Sequence, residues 1–151
     1  MRKAEIDEAV YELEQFYMSI DEELANDGWS FKVTNDAPES FRELTYRTQN
    51  NCIPIARYGS ELTIYSKRVY NYYNRFWHDV THLQLGKGFS FADETTVILE
   101  QCRQLAEAGV SINAQRVFWA DMYEQAKYYE DNNEFVNNQK QFVYTKLLGV
   151  F

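Results

Sequence analysis

From Lys3 to Asn26 the apolar residues Ile6, Val10, Leu13, Phe16, Tyr17, Ile20 and Leu24 recur at spacings of three and four. That is the period of one helical face, so the stretch predicts an amphipathic helix that needs a partner surface. Glu5, Asp7 and Glu8 stand where the helix dipole favours acids, and Gly28 supplies a stop.

The same period returns further along. Lys67 to Leu85 carries Val69, Tyr72 or Tyr73, Phe76, Val80 and Leu83, with Ser66 before it as N-cap and Gly86 and Gly88 after it. Phe91 to Ala108 follows Ser90, with Asp93 three residues on as in a capping box. Ile112 to Glu130 follows Ser111, and Glu134 to Leu148 closes the series after Asp131-Asn132-Asn133. Between the first two helices, Trp29 to Thr34 alternates like a strand, and Pro38 opens a short helix over Glu39 to Thr48. Ile53 to Tyr58 and Glu61 to Tyr65 flank Gly59-Ser60 as a hairpin, with Pro54 confining its strand to an edge. The expected fold is mainly α: one domain over residues 1–151, a bundle of about five to six helices with a small β hairpin.

Charge and cysteine content narrow the function. The net charge is −8, from 23 acidic against 15 basic residues, which disfavours direct binding to a phosphate backbone. Cys52 and Cys102 form no C-x-x-C pair and imply neither a disulfide framework nor a zinc ribbon. No apolar run approaches a membrane span and the first residues lack a signal-peptide core, so the expectation is a cytoplasmic chain. Twelve Tyr and ten Phe exceed what a small core absorbs, leaving surface aromatics suited to a partner or a homodimer.

The chemistry concentrates in Arg75-Phe76-Trp77-His78-Asp79-Val80-Thr81-His82, which holds both histidines of the chain. On a helix, residues four apart share a face, so His78 and His82 can hold one metal ion. A glycine-containing turn then leads to Glu94, in the first turn of the next helix, as third ligand. Two imidazoles and a carboxylate are a common set for zinc with an open position, and placed facially they also suit iron(II). Asp79 follows the first histidine, where H-E-x-x-H enzymes carry their base; it can act as base or orient a histidine. Arg75, one turn before His78, can hold a phosphate or carboxylate, or simply pair with an acid. Lys87 in the turn could assist.

This arrangement, Arg-x-x-His-Asp-x-x-His with a following Phe and Glu over about residues 75–94, resembles a pattern in small uncharacterised phage and bacterial proteins. The resemblance implies Arg75, His78, Asp79, His82 and Glu94 as the functional set. Ala92-Asp93 stands where that pattern places a glycine before the glutamate, and no upstream histidine matches the HD phosphohydrolases.

Two functions follow as expectations. One is a metal-dependent hydrolase binding a divalent ion, zinc foremost and iron or manganese next, with Arg75 holding a small anionic substrate. The other is an acidic, aromatic-rich phage-type inhibitor that binds a host protein, its metal structural. A fourth protein ligand would mark the second; an open position in a cleft marks the first.

Overall fold

The structure is a computed structural model and describes residues 1–149. Helix α1 spans Lys3–Asn26, as its period predicts, and buries Ile6, Val10, Leu13, Tyr17, Ile20 and Leu24. Its C-terminus leads into strand β1 (Ser30–Thr34), then helix α2 (Phe41–Arg47) and strand β2 (Cys52–Ala56). Helices α3 (Arg68–Leu85) and α4 (Phe91–Glu107) follow. The chain then forms α5 (Ile112–Trp119), a π-helical turn (Ala120–Glu124), α6 (Gln125–Asn132) and α7 (Gln139–Leu148). The mainly α architecture holds.

Helix α1 packs on α3 and α5, and α3 packs on α4. Their common core is aromatic. Trp77 of α3 meets Phe16 at 5.2 Å, Phe118 of α5 at 5.7 Å and Tyr17 at 6.1 Å between ring centroids. Phe76, Trp77, Tyr17 and Phe118 are among the largest fully buried side chains. Other aromatics stay at the surface, including Tyr46, Tyr11 and Phe135.

The hairpin does not form. Strand β2 pairs in parallel with β1, in the register Ser30↔Cys52 to Thr34↔Ala56. Parallel strands need a crossover, and α2 is that crossover, so residues 30–56 make one β-α-β unit. Pro54 sits opposite Lys32 in a two-stranded sheet, where every strand has a free edge for a residue that donates no hydrogen bond. Glu61 to Tyr65 is irregular; it is pinned to α7 by the Lys140 N–H donating to the Leu62 carbonyl at 2.8 Å.

Helix starts also differ in detail. Ser40, not the proline turn, caps α2, accepting from the Glu43 N–H. Ser66 does not cap α3; its N–H and hydroxyl both donate to the buried Glu14 carboxylate at 2.7 Å, and Lys67 takes the cap position. Helix α7 begins after Asn138, whose side chain accepts from the Gln141 N–H, so residues 134–138 are not helical.

The turn that presents the site has the expected glycine stop and serine cap, but Asp93 reaches back to the Gly88 N–H rather than to the Ser90 N–H of a capping box. Gly86 closes α3 in the left-handed region (φ 64°), where a side chain would be strained. Ser90 caps α4 by accepting from the Asp93 N–H, and Asp93 in turn accepts from the Gly88 N–H at 2.9 Å. These bonds fix the first turn of α4, and with it Glu94. Ser90→Ala is expected to lower stability by about 1 kcal/mol, read as a shift in the urea midpoint at unchanged slope.

Candidate metal centre

His78 and His82 lie one turn apart on α3, and the Gly86–Phe89 turn brings Glu94 of α4 over them. Glu94 Oε2 is 2.8 Å from His78 Nε2 and 3.2 Å from His82 Nε2, and the two nitrogens are 3.0 Å apart. Among the described residues these three form the group whose donor atoms converge closely enough to hold a metal ion. An ion bound at about 2.0–2.1 Å separates neighbouring donors by about 2.9 Å in an octahedral set and about 3.4 Å in a tetrahedral one. The observed sides of 2.8, 3.0 and 3.2 Å lie close to the octahedral spacing.

The outer partners decide what the triangle offers. His82 Nδ1 is 2.8 Å from the Lys87 carbonyl, which can only accept, so Nδ1 carries the proton and Nε2 presents a lone pair inward. His78 Nδ1 is 2.7 Å from Gln101 Oε1, which imposes the same tautomer. Two lone pairs and a carboxylate oxygen therefore meet at one point with no donor between them. Such a set takes up a cation, either a metal ion or a proton. When it takes a proton, the pair is tightly coupled. Burial alone would lower the His78 imidazole, but Glu94 beside it and Asp79 raise it to about 9. Burial would raise Glu94, yet His78 and His82 hold it down to about 2.

His82 is 1% exposed, with the Phe89 ring edge-on 5.0 Å away. His78 and Glu94 instead line a cleft of about 830 Å³, together with Asp79 and Arg75. Asp79 is outside the triangle. Its carboxyl makes no hydrogen bond among the described residues, and burial pushes it up to about 6 against the pull of His78, His82 and Arg75.

Arg75 is placed in the cleft wall but is largely engaged. Its Nη1 donates to the Ala56 and Tyr58 carbonyls at 2.6 and 2.7 Å, and its Nη2 donates to the Gly59 carbonyl at 3.3 Å. Gly59 (φ 74°) allows this approach, since a Cβ there would stand 3.1 Å from Nη2. Arg75 thus fastens the segment after β2 onto α3. Arg75→Met, which takes the donor from the Ala56 and Tyr58 carbonyls and leaves the Gly59 carbonyl to Gln139 Nε2 alone, is expected to cost about 2–4 kcal/mol in denaturant unfolding. Arg75→Lys should recover less than half, because a compact ammonium cannot replace a planar fork.

Gln101 and the Lys87 carbonyl are the contributors that sequence spacing missed. Gln101 lies seven residues after Glu94, two turns along the same face of α4, and that spacing was the available signal. Lys87 acts through its backbone, which no side-chain pattern reveals. Gln101→Leu is expected to weaken metal binding about 10–100-fold without unfolding the chain, as titration with zinc would measure. Among the described residues, no helix is long and apolar enough to cross a membrane. No protein-family model, curated protein or solved structure matches the chain.

Proposed function

We propose that the chain is a metal-dependent hydrolase in which His78, His82 and Glu94 hold one divalent ion and Asp79 serves the reacting water. The supporting observation is the meeting of three acceptors, each tautomer fixed from outside, at the wall of a cleft. Zinc is the foremost candidate, and iron(II) and manganese accept the same donors. Bound there, such an ion acidifies water and polarises a scissile oxygen.

The chain's own residues supply the rest. Three protein ligands leave positions for water and substrate, and no fourth His, Cys, Asp or Glu joins them among the described residues. That favours a catalytic site over a structural one, and the hydrolase over the host-binding inhibitor. Asp79, unpartnered and held near neutrality, can accept and return a proton in the cleft. Arg75 contributes a fixed positive charge facing Asp79 and Asp121 rather than a free clamp for an anion.

The test is turnover of nitrophenyl ester, phosphoester and anilide substrates by untagged protein loaded with zinc, manganese or iron(II). Activity should need the metal, and Asp79→Asn should lower kcat about 100-fold or more while metal content stays intact. Full activity in metal-free protein, or in metal-loaded Asp79→Asn, would contradict the assignment.

A further inference from the structure

The cleft continues past the metal triangle along the polar edge of α3. Asn74 stands there, one turn before His78, and is 1% exposed. Its Nδ2 donates to the Met122 sulfur at 3.1 Å, a weak acceptor, and its Oδ1 has no hydrogen-bond partner. A buried carbonyl left without a donor costs about 1–3 kcal/mol, so its persistence in a cleft wall points to a ligand that supplies one.

Asp121 lines the same cleft from the π-helical turn, a type of helix defect often found at functional sites. Its Oδ2 accepts from the Tyr65 hydroxyl at 2.8 Å and its Oδ1 from Gln125 Nε2 at 2.8 Å. Tyr65 is itself tied to the Tyr17 hydroxyl at 2.7 Å in the core, so the carboxylate is anchored. Each oxygen keeps a lone pair for a further donor. Glu39 and Glu130 add acid at the cleft lining, while Tyr58, Phe91 and Phe135 offer aromatic surface. Arg75 is the one Lys or Arg among the lining residues, and three carbonyls already surround it.

We infer that this end of the cleft binds a nitrogen group rich in N–H donors, a carboxamide or an amidine, between Asn74 Oδ1 and the Asp121 carboxylate. The inference deepens the hydrolase reading by naming its substrate class, and rests on it for the claim that the bound molecule is cleaved. It replaces the small anion expected from Arg75. Asn74 and Asp121 act as binding residues, outside the metal triangle.

Benzamidine, with benzoate as its anionic match, tests this by calorimetric titration of the full chain in metal-free form. Zinc content after reloading is measured on the same preparations. Benzamidine should bind at least about tenfold more tightly than benzoate. Asn74→Leu and Asp121→Asn should each lower that affinity about tenfold or more, with circular dichroism and zinc uptake unchanged. Asp121→Asn keeps an acceptor for Tyr65, and Asn74→Leu keeps the branched shape of the side chain, so either variant alone decides the matter if the other fails to fold. Equal or tighter benzoate binding, binding of neither probe, or retained benzamidine affinity in the folded variants overturns the inference. Selective benzamidine binding without zinc uptake sinks the metalloenzyme reading and leaves the subsite standing.

Discussion

His82→Ala is expected to weaken metal binding at least about 1000-fold, beyond the 10–100-fold that loss of an outer partner produces. One of three donors disappears, and a single imidazole with a carboxylate cannot enclose an ion. The same change removes the donor to the Lys87 carbonyl and the ring packed on Phe89, in a position 1% exposed. Stability of the metal-free protein should therefore fall as well, by about 2–3 kcal/mol. Glu94→Gln separates the two effects. It keeps shape and burial but removes the charge, so metal binding should fail while the helix boundaries and cap bonds persist. Retention of tight metal binding in folded His82→Ala would show that the ion, if any, sits elsewhere.

Raising the pH from 6 to 9 is expected to act in opposite directions on the metal-free and metal-loaded protein. In the metal-free state His78 is raised from 6.5 to about 9, so its contribution is complete below pH 6.5 and is lost as pH climbs through 9. Glu94 is lowered from 4.5 to about 2; its contribution is complete above pH 4.5 and is lost only as pH falls through 2. Asp79 and Asp121, raised by burial from 3.8 to about 6, oppose folding increasingly as pH rises from 3.8 to 6. On these four groups the metal-free protein should be most stable near pH 4, lose stability as Asp79 and Asp121 ionise up to pH 6, and lose about 2–3 kcal/mol more, or about 5–10 °C in Tm, as His78 gives up its proton by pH 9 to 10. Metal must displace the His78 proton, so log affinity should rise by about one unit per pH unit between 6.5 and 9. Thermal melts with and without zinc across this range would show the stabilisation by metal growing with pH. A pH-independent increment would mean that no shared proton is displaced.

Local signals were legible where local physics decides. The α1 period gave its bounds, and the capping pair Ser90 and Asp93 gave the start of α4. The spacing of His78 and His82, with a short glycine turn to Glu94, was enough to bring three donors together. Strand pairing was not legible, because Trp29 to Thr34 and Ile53 to Tyr58 are joined through α2 and the alternation of each says nothing of its neighbour. Ser66 reads as a cap, yet a buried carboxylate fifty-two positions away in sequence claims it. The π-helical turn left no proline or glycine to mark it; Tyr65 and Gln125 holding Asp121 are its visible anchors. Arg75 was read by its charge, whereas the carbonyls that engage it come from a loop that only the fold brings near.

Zinc titration of untagged, chelator-stripped protein at pH 8, followed by elemental analysis, tests the metal centre most directly. The triangle of His78, His82 and Glu94 predicts one ion per chain in the wild type and none retained by His78→Ala, His82→Ala or Glu94→Gln, all three remaining folded. A wild-type protein that retains no zinc, manganese or iron(II), or variants that retain it at full stoichiometry, would contradict it.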